Sequence, residues 1–296
     1  MKSKFYLGID VGGSRIKAVL VKDKQIIRSK AEDSPNNLKG LLNVIVKIKD
    51  ELTVGIDQME IGGIGFSLAG TLDIKREIML NSPNIKYLNN QPIKRLLEKK
   101  IKTYPIKLEH DVHCFLLAEK ERGLAKNLKN VFYLTLGTGI GGALMVDGQI
   151  VFGAHGSAGE VGHMIIKLKI KNKKLKIDET LDLEELAANK FIKKCLGVGS
   201  IEAERRARAG DKKAREIFVQ LGRNLGVGIA NIINIFDPEA IILNGGIAEA
   251  KEFILSGIKE GIEKFVVSPA AKKTKILFST LGLYAGSLGA ALLFEK

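Results

Sequence analysis

This sequence predicts an α/β fold in two lobes, and three features carry the prediction. Strand-like and helix-like segments alternate along the chain, and two strand pairs turn on glycines in corresponding ways. The 296 residues also suffice for two domains of ordinary size, each burying a core. In the first lobe, three meandering strands are predicted at Phe5 to Asp10, Ile16 to Val21 and Gln25 to Lys30. A helix follows from Asn37 to Leu52, because Leu38, Leu41, Leu42, Ile45, Ile48 and Leu52 recur on one helical face. Next come a strand at Ile61 to Ser67, a short helix at Ile93 to Ile101, a strand at Ile106 to Glu109 that runs into Asp111, and a helix from Val112 to Leu124.

The second lobe repeats the strand pattern from Val131 and then becomes helical. Leu183 to Cys195 reads as one helix and Ile201 to Phe236 as one or two, with a break at Gly210-Asp211 and a stop at Asp237-Pro238. A strand at Ala240 to Leu243, a helix, a strand at Lys275 to Ser279 and a last helix from Ser287 complete the chain. The expected lobes are residues 1–112 with 287–296, and residues 113–286, a duplicated pair with a cleft between the copies.

Composition excludes several classes of function. A hydrophobic fraction of 45% with 27% charged residues is that of a soluble globular protein. No signal peptide is recognisable, and no apolar run approaches the ~20 residues needed to span a bilayer, so the expected location is the cytoplasm, with no membrane partner. Cys114 and Cys195 are too few for a disulfide framework. The net charge of +14 raises the question of nucleic acid. Much of the excess lies in IIKLKIKNKKLKI, Ile165 to Ile177, where lysines alternate with apolar residues. That period predicts a strand pair turning near Asn172-Lys173, with lysines on its wet face. No aromatic residue interleaves to stack bases, which argues against a nucleic-acid partner.

The two glycine turns point to phosphate. LGIDVGGSRIKAVLVKDKQI, from Leu7 to Ile26, and LTLGTGIGGALMVDGQI, from Leu134 to Ile150, each place small residues between two strands. Backbone N–H groups there can approach an anion with no Cβ in the way. The chain has no G-x-x-x-x-G-K-[ST] element. The glycines from Gly137 to Gly142 do not fit G-x-G-x-x-G, and a strand follows them where that fingerprint needs a helix. An ordinary tight hairpin is the competing reading of either turn alone. Asp111, at a strand end before a helix, reads by itself as an N-cap or as a carboxylate held for proton transfer.

Taken in order, these motifs resemble the ROK family, the sugar-kinase and repressor branch of the actin-like ATPase superfamily. LGIDVGGSRIKAVLV is similar to its first phosphate motif, LEHDVHCFLLAE to the segment carrying its catalytic Asp, LGTGIGGALMVDGQIVFGAHGSAGEVGH to its second phosphate motif running into GExGH, and ILNGGI to the glycine pair bordering adenosine. The resemblance implies an actin-like ATPase (ribonuclease H-like) fold with duplicated mixed-sheet domains, ATP and Mg²⁺ as cofactors, and a homodimer. It implies Asp111 as general base, and Asp10 as the residue holding Mg²⁺ through water. Gly12, Gly13, Lys17, Thr138 and Gly139 would contact phosphate, and Gly245 and Gly246 the adenosine. Gly70, Asn84, His110, Asp111, Glu160, His163 and Glu184 would contact the sugar.

Two departures qualify the resemblance. Residues 164–184 hold no Cys where most bacterial members carry a zinc-binding run, so no zinc is expected, and packing of Leu183, Leu186, Ala187 and Phe191 is expected to hold the helix there. His110 stands where the family usually has Asn, so broad hexose acceptance is expected. The activity these features imply is ATP-dependent phosphorylation of a hexose hydroxyl, glucose O6 first. The alternatives are an N-acetylhexosamine kinase (N-acetylglucosamine or N-acetylmannosamine) and a ROK-type sugar-sensing regulator without its DNA-binding module.

Overall fold

Strand β1 (Phe5–Val11) turns at Gly12-Gly13 into β2 (Arg15–Lys22), which turns into β3 (Gln25–Asp33). Asp23 and Lys24, at the second turn, have φ of 50° and 60°, as a tight turn between twisted antiparallel strands requires. The computed structural model describes residues 4–170 and 177–295. Helix α1 (Leu38–Leu52) starts at Asn37, whose side chain accepts the Gly40 amide, and it buries Leu41, Ile45, Ile48 and Leu52. There follow β4 (Ile61–Leu68), a hairpin of β5 (Thr71–Leu72) and β6 (Met79–Asn81), α2 (Ile93–Ile101), β7 (Ile106–His110) and α3 (Asp111–Arg122). The sheet order is β3-β2-β1-β4-β7, antiparallel in the meander and parallel from β1 through β4 to β7.

The second half repeats this plan. A meander of β8 (Val131–Leu136), β9 (Ile140–Val146) and β10 (Gln149–Val151) is followed by a separate antiparallel pair, β11 (Ile165–Ile170) with β12 (Ile177–Asp182). Helices α4 (Leu183–Ala187), α5 (Asn189–Leu196), α6 (Ser200–Arg208) and α7 (Lys212–Phe236) precede β13 (Ala240–Asn244), α8 (Lys251–Phe265), β14 (Lys275–Phe278) and α9 (Ala285–Leu292). The order β10-β9-β8-β13-β14, with β8, β13 and β14 parallel, matches the first sheet strand for strand. The duplication anticipated from the glycine turns is thus a duplication of topology. The turn expected at Asn172-Lys173 lies outside the described residues.

The chain divides into two units, Met1–Asn127 with Phe152–Ser157 and Thr280–Lys296, and Leu128–Val151 with Ala158–Ser279. The boundary expected after residue 112 falls inside α3, and that helix stays with the first unit because it packs against α9. All eight residues of α9 are buried. Its backbone lies so close to its neighbours that a Cβ on Gly8 would sit 1.8 Å from the Ser287 carbonyl oxygen, and one on Gly289 1.8 Å from that of Cys114. Only glycine permits such an approach.

Two further differences from the sequence reading concern site elements. The single helix expected over Leu183 to Cys195 is two, because Ala188 is extended at φ −104°, ψ −178° and the Asn189 amide donates to Gly137 O at 3.0 Å. The β5–β6 hairpin went unpredicted, since two- and three-residue strands carry no periodicity to read. Among the described residues, no helix is long and apolar enough to cross a membrane.

Candidate active site

In the first unit, strand register assembles a polar row from distant parts of the chain. Lys17 pairs with Asp10, Asp10 with Ser67, and Ser67 with Glu109, so four polar side chains share one sheet face. Asp10 is 6% exposed. Its Oδ1 accepts Ser67 Oγ at 2.7 Å, and its Oδ2 lies 3.5 Å from Lys17 Nζ. Burial pushes its carboxyl above the usual carboxylate range, while the Lys17 charge and the bonds from Ser67 and Lys17 work the other way. A Cβ on Gly286 would come within 2.9 to 3.1 Å of this carboxyl.

Beyond Asp10 the chain opens into the first glycine turn. Gly12 donates to Arg15 O at 3.1 Å, Ser34 Oγ donates to Gly12 O at 2.5 Å, and Gly13 is exposed. Asn84 lies against this turn, its Cβ 3.1 Å from where a Gly13 Cβ would be. Gly70 has φ +137°, and a Cβ there would meet Asn81 O at 2.3 Å, so only glycine fits.

Asp111 is the first residue of α3 rather than its N-cap, which is His110. Its Oδ1 accepts the Val112 amide at 2.8 Å and lies 3.4 Å from His110 Nδ1, and its side chain is 26% exposed. A carboxylate there meets the positive end of a helix. Glu109, which the sequence did not single out, anchors the approach to it. Its Oε1 accepts the His110 amide at 2.8 Å, Arg76 Nε at 3.0 Å and a bond with His113 Nδ1 at 3.0 Å. Burial pushes its carboxyl up, yet His113, the His110 amide and Arg76 together hold it below the usual range.

This has a consequence in acid. A carboxylate lowered in the folded state stabilises fully above its unfolded value of about 4.5 and loses that contribution as pH falls through the folded value. Glu109→Gln is therefore expected to melt lower at neutral pH but to lose less Tm than the native protein between pH 5 and ~pH 3. Melting curves across that range test this, and identical acid slopes would count against it.

In the second unit, Gly137-Thr138-Gly139 joins β8 to β9, with Gly137 N donating to Gly139 O at 3.0 Å and Thr138 exposed. Glu184 reaches this turn from α4, its Oε2 accepting the Ile140 amide at 2.9 Å. A Cβ on Gly139 would lie 2.2 Å from that oxygen. One carboxylate oxygen expected to face sugar thus also fixes the phosphate-type turn. Gly245, at φ +99°, packs on Leu136 O at the start of the same turn, and Gly246 beside it is open. Glu160 and His163 are exposed, and His163 Nδ1 lies 3.4 Å from Asp182 Oδ2. Their segment lies against β9, because a Cβ on Gly159 would meet Gly142 O at 2.3 Å and one on Gly162 would meet Ile140 O at 2.2 Å. Close by the turn, Asn189, Lys193, Ser200 and Arg205 help line a cavity of about 400 Å³.

The first unit thus gathers Asp10, Gly12, Gly13, Lys17, Gly70, Asn84, His110 and Asp111, and the second gathers Thr138, Gly139, Glu160, His163, Glu184, Gly245 and Gly246. The model describing the ROK family matches residues 6–296. The chain belongs to the ROK family. Among similar proteins, an uncharacterised protein of Clostridium perfringens, CPE0188, is 32% identical with 97% of each chain covered. A glucokinase of Halalkalibacterium halodurans is 27% identical over all of this chain and 96% of its own. A crystal structure of a ROK glucokinase from Streptomyces griseus in complex with glucose and AMPPNP superposes with a TM-score of 0.80 at 26% identity, covering 98% of both chains. The two repeated five-stranded sheets are those of the two-lobed actin-like ATPase fold of ROK proteins.

Within this ROK chain the residues fit Mg²⁺ at Asp10, which offers one hard carboxylate beside an open glycine turn, as a water-rich magnesium site needs. No group of three or more His, Cys, Asp or Glu that could hold a metal occurs among the described residues. The window after His163, over which no zinc is expected, includes residues 171–176, which lie outside them. Ser67, Glu109, His113 and Arg76 were missed in the sequence. The spacing of Glu109 and His113, i and i+4, was the one local signal available.

Proposed function

We propose that this chain is an ATP-dependent sugar kinase that transfers the γ-phosphate to a hexose hydroxyl, with glucose O6 the first candidate. The observation that carries the reading is the pairing of two carboxylates of opposite character in one unit. Asp10 is buried and tied to Lys17 and Ser67, whereas Asp111 is partly open at the start of a helix. A phosphate-side group must be fixed, and a proton acceptor must be reachable.

In this reading Asp111 takes the proton of the attacking hydroxyl, the hydroxyl oxygen bonds to the γ-phosphorus, and the bridging oxygen leaves with ADP. Gly12, Gly13, Thr138 and Gly139 donate backbone N–H groups to phosphate, with Lys17 adding charge. Asp10 would hold Mg²⁺ through water, which supplies charge neutralisation on the polyphosphate. Gly245, Gly246 and the cavity at Asn189 to Arg205 give room for the nucleoside. Gly70, Asn84, His110, Glu160, His163 and Glu184 orient the sugar. The glucokinase relatives favour glucose, and His110 favours breadth, since its ring matches fewer hydroxyl arrangements than an Asn amide.

A coupled assay of ADP release across glucose, mannose, fructose, N-acetylglucosamine and N-acetylmannosamine tests the activity. Sugar-independent or absent ADP release would refute it. Asp10→Asn is expected to shift the magnesium dependence of turnover to higher concentration, and an unchanged titration would remove Asp10 from that role.

A further inference from the structure

Asp111 lies between two residues that are bonded to each other. Glu109 stands just before the end of β7 and His113 in the first turn of α3, with His113 Nδ1 3.0 Å from Glu109 Oε1. Both are buried, at 7% and 2% exposed. Strand end, helix start and side-chain bond therefore close a loop, and Asp111 is at its midpoint. Bonds to a carboxylate are the stronger kind, and more so at this depth.

The same oxygen collects donors from two more places. Glu109 Oε1 accepts the His110 amide at 2.8 Å and, from the turn between β5 and β6, Arg76 Nε at 3.0 Å. Burial pushes its carboxyl up, yet these donors hold it below the usual range, and an ionised carboxylate can only accept. The proton in the bond to His113 therefore sits on Nδ1. Because Arg76 balances the Glu109 charge, losing His113 would strand no bare charge.

The other ring nitrogen has no such use. His113 Nε2 is buried with no hydrogen-bond partner among the described residues, and the ring is walled by Phe152 at 5.0 Å, edge to face, and by His110 at 5.7 Å. A stranded polar atom costs stability that an apolar side chain of similar size would not. Packing alone does not account for a histidine here; the donor at Nδ1 does. Through Glu109 that donor fixes the His110 amide. The next residue is Asp111, whose Oδ1 accepts the Val112 amide at 2.8 Å and lies 3.4 Å from His110 Nδ1. A general base must stay within hydrogen-bond reach of its proton, and misplacement by about 1 Å can lower the rate ~10²-fold.

We propose that His113 is a positioning residue of the kinase, which holds the Asp111 carboxylate in line for the sugar hydroxyl by clasping Glu109 across it. The inference rests on the kinase reading and adds to it a residue too buried to touch sugar or nucleotide.

The ADP-release assay on His113→Leu and His113→Asn tests this. His113→Leu loses the donor and is expected to lower kcat at least ~10-fold, with the KM for sugar and for ATP within ~3-fold of native. His113→Asn puts an amide N–H where Nδ1 was, so its kcat should stay within ~3-fold of native. Near-native kcat in folded His113→Leu, a KM that rises as kcat falls, or equal losses in both variants would overturn the proposal. Should His113→Leu not fold, His113→Gln takes its place with the same expectations and the same refuting results, since its amide reaches the place of Nε2 rather than Nδ1. If no sugar elicits ADP from the native chain, the kinase reading fails by itself, and amide hydrogen exchange decides the clasp. The Val112 amide, bound to Asp111, should then exchange at least ~10-fold faster in His113→Leu but not in His113→Asn, with Leu116 to Lys120 unchanged. An equal change along all of α3, or none at Val112, would overturn it.

Discussion

Asp111→Asn is expected to lower kcat at least ~10²-fold while leaving the KM for sugar and for ATP within a few-fold, since a positioned general base contributes in the transition state rather than on binding. The amide keeps the size of the carboxylate and can still accept the Val112 amide through its oxygen, so α3 should start where it does now. A variant with native melting and near-native turnover would end the assignment of Asp111. A fall in kcat together with a matching rise in the sugar KM would recast it as a binding residue.

The second large effect is on stability. Gly8→Ala would drive a methyl group into the Ser287 carbonyl oxygen, a contact of 1.8 Å before relaxation. The obstacle is backbone on both sides, so no rotamer change relieves it, and either β1 or α9 must move. Overpacking of this kind sits at the upper end of ~1–3 kcal/mol, which for a domain of this size lowers Tm by roughly 6–12 °C. Gly289→Ala, against Cys114 O, should act similarly. Thermal melts of the two single variants check both, and a Tm within about 2 °C of native would show that α9 docks more loosely than its burial implies.

Much of the fold was legible because its elements are long and periodic. The apolar face of α1 and the bounds of α2 follow from helical spacing, and the glycine turns announce both meanders. The duplicated strand order follows from those meanders once a parallel strand is added to each. The site was legible only where it is local. Asp10, Lys17 and the two turns stand in short motifs, whereas the row Lys17–Asp10–Ser67–Glu109 depends on register between strands far apart in the chain. The hydrogen bond from Ser67 to Asp10 spans 57 residues. Arg76 was hidden for a different reason. It sits on a turn between strands too short to show a period, in a conformation where glycine is the usual expectation.

The docking of α9 also bears on when the first unit can finish folding. Its central strand β1 is complete at Val11, whereas the helix that lies on β1, β4 and α3 starts only at Ala285. At roughly 5–20 residues per second, β1 waits on the order of tens of seconds for α9. Until then Gly8, Gly65 and the apolar side chains Val19 and Val21 lack the cover that α9 gives them. The second unit has no such debt, since both its sheet and its helices lie in one stretch from Leu128 to Ser279 interrupted only by Phe152–Ser157. The later half of the sequence is therefore able to become native first, and the first unit, begun earliest, is the one that a nascent chain must keep from sticking to its neighbours.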